Sequence, residues 1–73
     1  MIINLYDEEN RYKDSWHNEG VEVDGSPESI QSACDDFADY RLNQGFKKVC
    51  VVAYEAGQGR SEQFAVARRE AGD

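Results

Sequence analysis

Residues 26–45 read SPESIQSACDDFADYRLNQG, and this stretch decides the fold. Ser26 suits a helix N-cap, because its hydroxyl can accept from a first-turn N–H that has no partner within the helix. Pro27 follows at the first helical position, where a missing N–H costs nothing. Glu28 in the first turn complements the positive end of the helix dipole. Gly45 tolerates the left-handed backbone that closes a helix. A helix from about Pro27 to Gln44 is therefore predicted. At ~100° per residue, Ile30, Ala33, Cys34, Phe37, Tyr40 and Gln44 share one side. Arg41 falls at the edge of that stripe, where its stem can lie along a sheet. Glu28, Asp35 and Asp39 gather on the opposite side, with Asp36 beside them.

Strands are expected on both sides of the helix. Ile2 to Tyr6 alternates, with Ile3 and Leu5 on one face and Ile2, Asn4 and Tyr6 on the other. Asp7-Glu8-Glu9-Asn10 is turn-like. Arg11 to His17 alternates again and is expected to pair back as a hairpin. Asn18-Glu19-Gly20 is expected to break or bulge that strand before Val21-Glu22-Val23 resumes it. Asp24-Gly25 is a turn signal. Beyond the helix, Phe46 to Tyr54 is apolar on both faces, which suits a central strand. The glycine-bearing segment from Glu55 to Arg60 reads as a hairpin loop. Glu62 to Arg68 is expected as the last strand, with Phe64 and Val66 inward. Residues 69–73 are expected to fray. The order strand, strand, helix, strand, strand predicts an α+β domain: a four-stranded antiparallel sheet with one helix on one face.

Seventy-three residues make a single compact domain, which buries roughly 60% of its unfolded surface. The chain is 40% apolar, enough for a thin core, and its 11% aromatic content argues against disorder. The opening residues Met1-Ile2-Ile3-Asn4 lack the basic region and long apolar run of a signal peptide or membrane span. A cytoplasmic location in a bacterial host is the expectation. Cys34 and Cys50 are too few for a disulfide framework and read as buried, reduced thiols.

Charge is segregated along the chain. Residues 1–40 hold 11 of the 15 acids against Arg11 and Lys13, a net −9, whereas residues 41–73 are net +2. Such an imbalance predicts a negative field on one face and a basic surface as its partner. The overall −7 disfavours direct binding to nucleic acid or to an anionic membrane. The candidate partner-binding residues are Asp7, Glu8 and Glu9, with Glu28, Asp35, Asp36 and Asp39 on the helix. These acids read either as a solvated face or as a phosphate-like array. Glu28 to Asp35 spans ~10 Å of helix and Asp35 to Asp39 ~6 Å, steps that suit a Lys/Arg surface built for a nucleic-acid backbone.

Other chemistries lack their patterns. Neither acidic segment has calcium-loop spacing, so no metal is expected. His17 stands without a serine–histidine–acid arrangement. Gly57-Gln58-Gly59-Arg60 lacks the Lys-Ser/Thr ending of a phosphate loop and leads into a strand. Neither catalytic activity nor a cofactor is expected.

In size, acidity, element order and absence of enzyme motifs, the chain resembles the inhibitors that bacteriophages and mobile elements encode against host defence. These include anti-CRISPR proteins and DNA mimics, some of which adopt a similar element order. The resemblance covers the whole chain in character and rests on no motif, so it assigns no residue. It implies a stoichiometric inhibitor that blocks a basic nucleic-acid-binding groove of a defence protein, such as a CRISPR effector subunit. The alternative is a small adaptor or complex subunit that binds a protein through its sheet face or through an edge strand such as Ile2 to Tyr6.

Overall fold

The computed structural model describes residues 1–9, 18–57 and 63–72. Its elements are β1 (Ile2–Asp7), β2 (Asn18–Glu22), α1 (Pro27–Asn43), β3 (Lys48–Glu55) and β4 (Gln63–Glu70). The strands form one antiparallel sheet in the order β2-β1-β3-β4, and α1 packs on one face. This is the predicted α+β architecture.

The helix begins and ends as its sequence dictates. Ser29 N–H donates to Ser26 Oγ at 3.2 Å, and Pro27 opens the first turn. Asp24 strengthens the entry by accepting from Ser26 N–H at 2.8 Å, across Gly25 at φ 90°. That backbone hydrogen bond, with help from the Ser26 hydroxyl, holds the Asp24 carboxyl below its usual pKa. Gly45 at φ 101° closes the other end.

The core lies between helix and sheet. Ile30, Cys34, Phe37 and Ala38 of α1 meet Ile3 and Leu5 of β1, Val49, Val51 and Ala53 of β3, and Ala65 and Ala67 of β4. The register aligns this inward set: Leu5 opposes Ala53, which opposes Ala65, and Val51 opposes Ala67. Small residues at Ala53, Ala65 and Ala67 let the helix backbone approach β4 closely.

Several expectations are corrected. The buried helical stripe is rotated toward Ala38 and Arg41, leaving Tyr40 54% exposed and Gln44 exposed. Four-residue steps from Ile30 through Cys34 to Ala38, and from Phe37 to Arg41, set that direction. On β4 the inward residues are Ala65, Ala67 and Arg69, while Phe64 is 37% exposed and Val66 half-buried. Although Phe64 and Val66 are the larger apolar side chains, it is Ala65 and Ala67 that lie beneath the helix. Between Ala53 and Tyr54 the register skips Phe64. Residues expected to fray from Arg69 are paired instead: Arg69 opposes Val49, Glu70 opposes Lys48, and Ala71 N–H donates to Lys47 O at 2.9 Å.

Within β2, Asn18, Glu19 and Gly20 form no bulge; they pair in register with Tyr6, Leu5 and Asn4, respectively. Gly20 sits opposite Asn4, where an added Cβ would lie 3.6 Å from Asn4 Oδ1. Ile2 to Tyr6 is not an edge, since β1 lies between β2 and β3. The strand expected over Arg11 to His17 lies outside the described residues, as does His17.

Candidate functional site

The seven candidate acids do not form one array. Asp7 continues the inward alternation of Ile3 and Leu5 and is 2% exposed. Arg41 Nε donates to its Oδ2 at 3.2 Å, Arg41 Nη1 donates to Gln44 Oε1 at 2.7 Å, and the guanidinium carbon lies 4.5 Å from the Phe46 ring centre. Asp7 therefore neutralises a buried cation and presents no face to a partner, correcting its assignment as a contact residue. Glu8 is half-buried, and its N–H continues the ladder to Cys50 O at 2.9 Å. Glu9 is exposed at a depression shared with Lys48, Cys50, Arg68 and Glu70, so its surroundings are mixed in charge.

The helical acids cluster apart from these. Glu28, Asp35 and Asp36 line a second, open depression with Pro27, Gln31 and Ser32. Glu28 and Asp36 are exposed, and among the described residues neither has an ion-pair partner. Asp35 and Asp39 differ: they turn to the flank of α1 that overlooks β4. Arg69 Nε donates to Asp39 Oδ1 at 2.8 Å and Nη2 donates to Asp35 Oδ1 at 3.1 Å. The hydrogen bond to Asp39, and then that to Asp35, raise the Arg69 pKa above its usual value. Both aspartates keep some exposure, with side chains 39% and 60% accessible.

Segregation along the chain is thus partly undone in space. Arg41 and Arg69, both from the basic half, fold back onto Asp7, Asp35 and Asp39. The sequence carried a signal for each. Asp7 and Arg41 each sit at an inward position of an otherwise apolar pattern, and opposite charges so placed can bury only together. Arg69 shares the parity of Ala65 and Ala67, but the weak apolar character of alanine concealed that parity.

Cys34 is fully buried, and its thiol donates to Val51 O at 3.3 Å. Burial, with the nearby Asp35 charge, pushes its pKa up to about 12. Cys50 stands half-buried on the face of the sheet away from the helix, opposite Arg68. Burial raises its pKa against the opposing pull of Arg68, with Glu9 and Glu8 adding to the rise. Neither thiol has the lowered pKa of a nucleophile. Among the described residues no group of three His, Cys, Asp or Glu could hold a metal ion, and no helix is long and apolar enough to cross a membrane.

The second sheet face carries Ile2 (46% exposed), Phe64, Tyr6 and Tyr54, the tyrosine rings meeting edge-on at 5.9 Å. On the same face Val52 is buried, 4% exposed. Comparison with protein-family models, with curated proteins and with solved structures gives no match for this chain.

Proposed function

We propose that this protein is a small, non-enzymatic inhibitor that binds a basic, nucleic-acid-binding surface of another protein through the carboxylates on its helix. The observation that carries this reading is the depression lined by Glu28, Asp35 and Asp36, in a chain whose first 40 residues are net −9. Glu28 and Asp36 project from a rigid helix, and Arg69 fixes Asp35 and Asp39 in direction. Fixed carboxylates lose little conformational freedom on meeting Lys or Arg. They also steer association and set orientation. The target class follows from charge complementarity and from the resemblance in character to phage-encoded inhibitors of host defence, anti-CRISPR proteins among them.

A second reading has its own observation. On the sheet face away from the helix, Ile2 and Phe64 keep exposed apolar area suited to an adaptor that docks on a protein.

Displacement separates the two. The immobilised protein is loaded with a bacterial lysate, washed, and challenged with single-stranded DNA or RNA oligonucleotides. Release of the captured protein by oligonucleotide supports occupation of its nucleic-acid groove. Retention against excess oligonucleotide, with loss of capture on Phe64→Ser, assigns binding to the sheet face.

A further inference from the structure

We infer that Gln31 and Arg69 form a latch on the outer edge of β4, closing that edge against the β4 strand of a second copy of this chain. An edge strand presents unpaired N–H and C=O groups that template another strand. In an antiparallel ladder, alternate residues turn both groups toward the neighbouring strand. Ala71 N–H donates to Lys47 O, which fixes that alternation in β4. Residues Ala65, Ala67 and Arg69 turn toward β3; Val66, Arg68 and Glu70 turn outward.

Two of the outward carbonyls are already taken. Gln31 Nε2 donates to Val66 O at 3.1 Å, and Arg69 Nη1 donates to Arg68 O at 2.9 Å. The donors are themselves held. Gln31 Nε2 also donates to Asp35 Oδ1 at 3.2 Å, the same oxygen that accepts from Arg69 Nη2, while Asp39 accepts from Arg69 Nε. Asp35 thus ties both donors in place.

The occupied carbonyls are those a self-pairing would need. Two copies of β4 running antiparallel about Ala67 would set Val66 of each opposite Arg68 of the other as a hydrogen-bonded pair. Phe64 would then oppose Glu70, and Ala65 would oppose Arg69. No like charges face each other in this register, whereas pairing about Arg68 would set Arg68 against itself. The latch occupies two acceptors that this register uses.

The test removes the donors. Gln31→Ala/Arg69→Ala is compared with the wild type by light scattering at matched concentrations, with amide exchange at Val66 and Arg68. The variant self-associates roughly tenfold more tightly or better, since two competing hydrogen bonds are lost, and its Val66 and Arg68 amides become protected. Adding Arg68→Pro restores the monomer, because that N–H points outward and its removal costs β3 nothing. If circular dichroism shows the alanine pair unfolded, Gln31→Ala/Arg69→Lys, which keeps a cation beside the aspartates, takes its place. A folded variant that stays as monomeric as the wild type overturns the inference. So does a dimer in which Val66 and Arg68 exchange freely, or a wild type that pairs through β4 as tightly as the variant.

Discussion

Arg41 and Asp7 meet inside the core, Nε to Oδ2 at 3.2 Å, with side chains 5% and 2% exposed. The pair joins the acidic and basic halves of the chain and fixes the height of α1 along β1. A desolvated pair of this kind costs more to break than it contributes as a pair. Asp7→Ala removes the carboxylate at Arg41 Nε from a buried pair and is expected to destabilise the fold by ~3–5 kcal/mol. Asp7→Val/Arg41→Met is expected to recover most of that loss. Denaturant unfolding of the single and double variants checks this. A double variant as unstable as Asp7→Ala would contradict the assignment of that cost to an uncompensated buried charge.

Phe37 carries the centre of the helix–sheet contact, being 4% exposed and part of the same cluster as Val51 and Leu5. Truncation to alanine opens a cavity that the small alanines of β3 and β4 cannot fill. Phe37→Ala is expected to cost ~3–5 kcal/mol, enough to unfold much of a domain this small. A melting temperature within a few degrees of wild type would contradict the packing described here.

The helix, the strands β1 and β3 and the two-layer architecture were legible because their signals are local: a cap, a proline, a left-handed glycine, and continuous or alternating apolar runs; the central place of β1, set by pairing on both sides, was not. The rotation of the helical stripe was not legible. Tyr40 looks like a core residue by type, and Arg41 does not, yet Asp7 reverses the two. Likewise Phe64 outweighs Ala65 in any hydrophobic pattern, though close approach of α1 selects alanine. For the acids, helical spacing placed Glu28, Asp35 and Asp39 together opposite the buried stripe, whereas Asp35 and Asp39 turn to the flank over β4 and Glu28 and Asp36 stay exposed. It could not reveal that Arg69, thirty residues away from Asp39, claims two of them, since that contact is made by the tertiary fold.

The thiols are expected to separate sharply. Cys50 reacts with a thiol reagent in the native protein, more slowly than in the unfolded chain, and Cys34 reacts only on unfolding. Cys34 also imposes an alkaline limit. Its pKa rises from 9.0 to about 12 on folding, so the folded state holds a proton that the unfolded state releases first. Stability from this thiol is constant below pH 9.0 and falls as pH rises from there toward about 12. Wild type should therefore lose its advantage over Cys34→Ala across that window. Parallel stability curves for the two proteins would contradict it.

Charge reversal at the exposed acids separates binding from folding. Asp35→Lys and Asp39→Lys are unsuitable, because each sets a new cation beside Arg69. Glu28→Lys/Asp36→Lys touches no ion pair among the described residues and is expected to lower stability by no more than about 1 kcal/mol, through the charge reversed at the helix N-terminus at Glu28. A large loss of stability in this variant would assign these acids a structural role.

The most direct measurement is the salt dependence of capture of the basic partner by the wild type and by Glu28→Lys/Asp36→Lys. The wild type should bind strongly at ~0.01 M ionic strength, where the Debye length is about 30 Å, and weakly at ~1 M, where it is about 3 Å. The variant should lose most of its binding at low salt and differ little from wild type at high salt. Equal binding by both proteins at ~0.01 M would contradict the claim that the helical carboxylates engage a basic surface.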